Sequence, residues 1–67
     1  MKQFKVNSQK EAVAQAMTIG LIERGKIYEI ADDGVYQVWT AGGHIHRKKV
    51  IVFKFCGKAV LFQGLEE

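Results

Sequence analysis

Proline is absent from this chain, so every residue keeps a backbone N–H that can donate, which suits tight turns and β-rich packing. Cysteine occurs once, at Cys56. A single thiol excludes an internal disulfide and fits a reducing compartment, so a cytoplasmic location is expected. Cys56 itself is expected to be a small buried hydrophobe near a strand end rather than a reactive thiol. No apolar run approaches the roughly 20 residues of a membrane span. No long apolar segment follows Met1-Lys2-Gln3-Phe4-Lys5, so a signal peptide is not expected either.

Catalytic signatures are also missing. The chain has no nucleophile elbow and no glycine-rich phosphate loop. Asp32-Asp33-Gly34 lacks the further oxygen ligands of a calcium loop. Glu29 and Asp33 show no spacing that would force apart the pKa values of an acid–base pair. His44-x-His46 has a spacing compatible with metal, but no third ligand is nearby in sequence. The expectation is no enzyme, no metal and no cofactor.

What is present is an ordinary globular balance, with 48% apolar and 25% charged residues. The 67 residues are expected to form a single domain, 1–67. A domain this small buries only about 60% of its unfolded surface, so it needs good packing or a partner. The net charge of +3 permits contact with nucleic acid or an acidic protein and demands neither.

The strongest β signal is Lys48-Lys49-Val50-Ile51-Val52-Phe53-Lys54-Phe55-Cys56, expected to be a central strand with little exposed on either side. Lys2 to Val6 alternates and reads as a short edge strand, with Phe4 and Val6 on one side. Ser8 and Glu11 match a capping box. The helix it opens is expected to run to Arg24 and stop at Gly25, with Val13, Ala16, Met17, Gly20 and Leu21 on its buried face. Two strands flanking Asp32-Asp33-Gly34 form a hairpin signal. A three-residue loop with Gly34 left-handed, pairing Ile30 with Tyr36 and Tyr28 with Val38, is preferred because it gathers four apolar residues on one face. Trp39 then falls on the opposite face.

Gly42-Gly43 marks a second turn that sets Trp39 beside His46 and Thr40 beside Ile45. Arg47 and Lys49 share parity with Ile51 and Phe53, so they must lie beyond the core edge or follow a bulge. Gly57-Lys58 makes the last turn, pairing Phe55 with Val60 and Phe53 with Phe62. Val60-Leu61-Phe62-Gln63-Gly64 resembles a viral-protease recognition sequence, yet it completes this hairpin and is taken as a native strand. Leu65-Glu66-Glu67 reads as a loose tail. The fold class is α+β: one N-terminal helix packed on a curled antiparallel sheet of about five strands.

Gly25-Lys26-Ile27-Tyr28-Glu29-Ile30, then Asp33-Gly34-Val35-Tyr36-Gln37-Val38, then Gly42-Gly43 and a lysine-rich strand resemble small phage-encoded modules with SH3-like barrels. The similarity spans residues 25–53. It implies an SH3-like or small-barrel-like sheet and no enzyme, and it transfers no site residues.

One surface remains as a functional candidate: Trp39, His44, His46, Arg47, Lys48 and Lys49, with Lys54 further along. Trp and Arg are favoured at protein interfaces. An aromatic among cations can also stack a base and hold phosphates. The expected function is a non-catalytic interaction module, phage- or mobile-element-encoded, that binds a host or phage protein. The alternative is a small basic nucleic-acid-binding protein. No membrane partner is expected, and the chain is a monomer or a homodimer. Val50, Val52 and Leu61, with Ile27 and Trp39, form a second apolar face that curling of the sheet or a second copy would cover.

Overall fold

The computed structural model describes residues 3–65. The elements in order are β1 (Phe4–Val6), α1 (Gln9–Thr18), β2 (Ile27–Ala31), β3 (Gly34–Ala41), β4 (His44–Cys56) and β5 (Ala59–Gly64). The strands form one five-stranded antiparallel sheet in the order β1-β5-β4-β3-β2. β4 is therefore central and β1 lies at an edge, as the alternation patterns predict. β1 and β2 are the two edges, and the sheet is not closed into a barrel.

The helix starts where its sequence says. Ser8 Oγ accepts from the Glu11 N–H at 3.1 Å, and the Glu11 carboxylate accepts from the Asn7 N–H at 3.2 Å. It ends earlier than expected, at Thr18. Gly20 adopts φ +86°, the Leu21 N–H donates to Ala16 O at 2.9 Å, and the Gly20 N–H donates to Met17 O at 3.3 Å. That is a Schellman stop built on Gly20 rather than Gly25. The early stop changes the buried face. Ala12 and Ala16 are buried, Val13 is partly so, and Met17 is exposed. The chain beyond Gly20 is no longer helical, so it can turn Ile22 into the core, where it is 3% exposed. Small residues on α1 let it pack close on β1 and β5, and its Ala12 and Ala16 join one core with Val6, Val35, Ile51, Phe53, Val60 and Phe62.

Both predicted turns around β4 have the expected pairings. Trp39 opposes His46 and Thr40 opposes Ile45, while Phe55 opposes Val60 and Phe53 opposes Phe62. Val60 and Phe62 are buried, so the protease-like stretch is a core strand of this fold. Leu65 continues the ladder through its N–H to Val50 O at 2.8 Å, and Glu66 and Glu67 lie outside the described residues. Lys2, expected to open β1, also lies outside them.

The first hairpin has a different register from the one expected. Its loop is Asp32-Asp33, with Ala31 opposite Gly34, Ile30 opposite Val35 and Tyr28 opposite Gln37. Residues directly opposed, or two apart on a strand, share a face. Tyr28, Ile30, Val35, Gln37 and Trp39 therefore lie on the helix-covered side, and Ile27, Glu29, Tyr36 and Val38 lie on the other. The reason is packing: this register buries Val35 completely against Ile51, which is also fully buried. Trp39 thus joins Tyr28 instead of opposing it.

Two further expectations are corrected. Cys56 is exposed, because it shares a face with Val52 and Lys54, on the side of β4 that the helix does not cover. Phe55 lies on the helix side but beyond the end of the covered core, so it is 59% exposed, and the central strand is well covered only around Ile51 and Phe53.

Candidate functional site

The molecule is elongated, 41 × 21 × 20 Å. Its length comes from β3 and β4. Pairing with β2 reaches only Val38, opposite Ile27, so Trp39–Ala41 and His44–His46 pair with each other alone. They form a two-stranded arm that extends beyond the three-stranded part of the sheet. Every residue from Trp39 to Lys48 is exposed.

A bulge decides which way the side chains of this arm point. Val35 opposes Ile51, but the next residue, Tyr36, opposes Lys49. Val50 is the extra residue, and it reverses the alternation of everything before it in β4. Without it Arg47 and Lys49 would share the face of Ile51 and Phe53, under the helix. With it they turn to the opposite side, where their charges stay in water.

The six candidate residues are therefore divided between two faces. Trp39, His44, His46 and Lys48 share the helix side, while Arg47 and Lys49 share the bare side with Tyr36. On the first face Trp39 stacks on His46, with ring centroids 5.6 Å apart and planes at 19°. His46 Nε2 lies 3.3 Å from Ala41 O. Trp39, Gln37 and Lys48 line an open hollow of about 510 Å³, and Lys26, at the end of the loop leaving α1, closes its rim. The loop is anchored there because the Glu23 N–H donates to the Tyr28 hydroxyl at 3.0 Å.

The other face carries a self-contained charge cluster. Arg47 pairs with Glu29 across the sheet. Lys49 Nζ lies 2.8 Å from Asp33 Oδ2, and the Tyr36 hydroxyl donates to the same oxygen at 2.9 Å. Arg47 and Lys49 both sit over the Tyr36 ring, at 4.7 and 5.4 Å from its centroid. The Lys49 hydrogen bond, then that of Tyr36, holds the Asp33 carboxyl below its ordinary pKa. The same bond from Asp33 raises that of Lys49. Asp33 thus contributes stability that is present above its unfolded pKa, near 3.8, and is lost as pH falls through its lower folded value. Lys49 contributes stability that is present below its unfolded pKa, near 10.5, and is lost as pH rises through its higher folded value. Asp33→Asn is expected to flatten the acid limb of a melting-temperature profile below about pH 4. An acid limb parallel to that of the parent would show that the pair does not form in solution.

Sequence reasoning named Trp39, His44, His46 and Lys48 but missed Lys26 and Gln37. Gln37 was legible as the residue two before Trp39 on one strand. Lys26 was not, because only the fold brings the loop after α1 beside the arm. Among the described residues no group of three His, Cys, Asp or Glu side chains could hold a metal ion. No helix is long and apolar enough to cross a membrane among those residues.

These features define a small α+β protein with one helix on one side of an open antiparallel sheet and a projecting arm. No family model, no curated protein and no solved structure matches the chain.

Proposed function

We propose that this chain is a non-catalytic interaction module that binds a protein partner through the β3–β4 arm. The observation that carries the reading is Trp39: a large aromatic, 40% exposed, held by its stack on His46 at the root of a projecting hairpin. A rigid, half-exposed indole offers a large contact area at little entropic cost, as interface hot spots do. The similarity of residues 25–53 to phage-encoded SH3-like modules supports a phage or mobile-element origin, a host or phage protein as partner, and a cytoplasmic setting. The continuous antiparallel order of β2 to β5 supports an SH3-like relation, with the opening between β1 and β2.

The charge distribution favours protein over nucleic acid. A phosphate backbone calls for a row of cations on one surface. Here Arg47 and Lys49 face away from Trp39, and each already has a carboxylate partner.

Trp39→Ala is expected to weaken binding of a partner recovered by affinity capture by about 2 kcal/mol or more, read by calorimetry. Lys48→Ala is expected to act mainly on the association rate and its salt dependence. Binding unchanged in a folded Trp39→Ala protein would move the interface elsewhere. Tight binding of single-stranded DNA or RNA, falling steeply with salt, would favour the nucleic-acid alternative.

A further inference from the structure

Among the described residues, no helix or strand covers the face of the sheet away from α1. A sheet face left to water carries mostly polar side chains. This one carries Ile27, Tyr36, Val38, Ile45, Val52 and Leu61, which share it by register. Ile45 and Ile27 are the most exposed large apolar residues of the described chain, at 74% and 71%. A face of this kind is stable when a further layer covers it. Its charges do not oppose cover. Arg47 and Lys49 are matched by Glu29 and Asp33 and lie over the Tyr36 ring. Matched pairs lose water at smaller cost than single charges do. They also leave the middle of the face with no demand for a partner of opposite charge.

The shape of the face is complementary to itself. Ile45 projects near one end of β4. Towards the other end, Val52 and Leu61 line a hollow of about 140 Å³. Its rim is polar, made by Lys54 and by the Gln3 side chain, which donates to that of Gln63 at 3.2 Å. A second copy turned end for end sets its Ile45 over this hollow and offers its own hollow in return. Such reciprocity is what a two-fold interface requires. The face measures at most 41 × 21 Å. That is on the order of 800 Å², about what one partner contributes to a standard-size interface.

We propose that two copies of this chain pair through these bare faces, making a sandwich of two five-stranded sheets with both helices outside. The axis crosses the sheet near Tyr36, which lies between Ile45 and Val52 along the strands. Trp39 is on the helix side in each copy, so the dimer presents two arms and hides neither. The pairing does not depend on what the arms bind.

Sedimentation equilibrium from about 5 to about 200 μM reads the mass directly. The parent chain is expected at twice its 7.6 kDa over most of that range. Ile45→Glu is expected to weaken pairing about a hundredfold or more, because a two-fold interface carries the change twice. Ile45 lies on the arm, away from the buried core, so this variant is expected to keep the circular dichroism of the parent. Ile27→Glu, on β2 and the same face, is a second variant expected to act in the same way. Met17→Glu, exposed on α1, is the control and is expected to stay dimeric.

A parent chain that remains monomeric up to about 200 μM would overturn the proposal. Dimers that persist in both Ile45→Glu and Ile27→Glu would overturn it as well. Loss of the dimer in Met17→Glu would place the contact on the helix side and count equally against it.

Discussion

Phe62→Ala is expected to leave the chain unfolded at room temperature. Phe62 is 1% exposed and is among the largest fully buried side chains. It opposes Phe4 on one neighbouring strand and Phe53 on the other, and its ring stacks on Phe4 with centroids 5.3 Å apart. It therefore joins the edge strand, the central strand and the helix-covered core in one contact set. Truncation of such a ring costs about 3–5 kcal/mol. A core in a domain this short supplies little more than roughly 3–5 kcal/mol in total. Circular dichroism with a urea titration reads the outcome. A cooperative melt within about 5 °C of the parent would show that this core assignment is wrong.

Gly34→Ala is expected to be comparably severe, for a different reason. The φ of Gly34, 159°, already disfavours a side chain, but strain is not the chief reason for the glycine. It is required by space. A Cβ there would lie 2.0 Å from the carbonyl oxygen of Ile51, a backbone atom that cannot rotate away. The two central strands must separate next to the bulge, where Val35 and Ile51 are fully buried. The expected cost is about 3 kcal/mol or more, at or beyond the upper end for overpacked cores. Gly42→Ala serves as the comparison. Its φ of 60° disfavours a side chain, but a Cβ there meets nothing, so the expected cost is only about 1 kcal/mol. Equal melting temperatures for the two variants would contradict the close approach of β3 to β4.

The parts of the fold that local chemistry dictates were legible in the sequence. Ser8 and Glu11 mark the helix start because the cap is made of adjacent residues. Gly42-Gly43 and Gly57-Lys58 set their hairpins because each turn leaves one register that pairs the apolar residues. The helix end was misplaced because Gly20 and Gly25 are both suitable stops, and the burial of Ile22 selects the first. The first hairpin was misregistered because its alternation offers two similar apolar faces. The choice falls to Val35, which must meet Ile51 on a strand distant in sequence. The candidate site was legible as a list of residues but not as a surface. Its division into two faces depends on Val50, a bulge that alternation signals only as an inconsistency. Cys56 is exposed because it stands on the uncovered face of β4 with Val52 and Lys54, whereas the exposure of Phe55 follows from how far the core reaches along β4, which the strand's own residues do not encode.

Interstrand NOEs between Hα and amide protons of β3 and β4 test the central claim most directly. The account predicts that Tyr36 lies opposite Lys49 and Gln37 opposite Lys48, with no residue of β3 opposite Val50. Trp39, His46 and Lys48 then share one face beside Lys26. An unbroken ladder with Tyr36 opposite Val50 and Gln37 opposite Lys49 would contradict it. Arg47 and Lys49 would then join Trp39 on one basic surface, and the charge argument for a protein partner would fail.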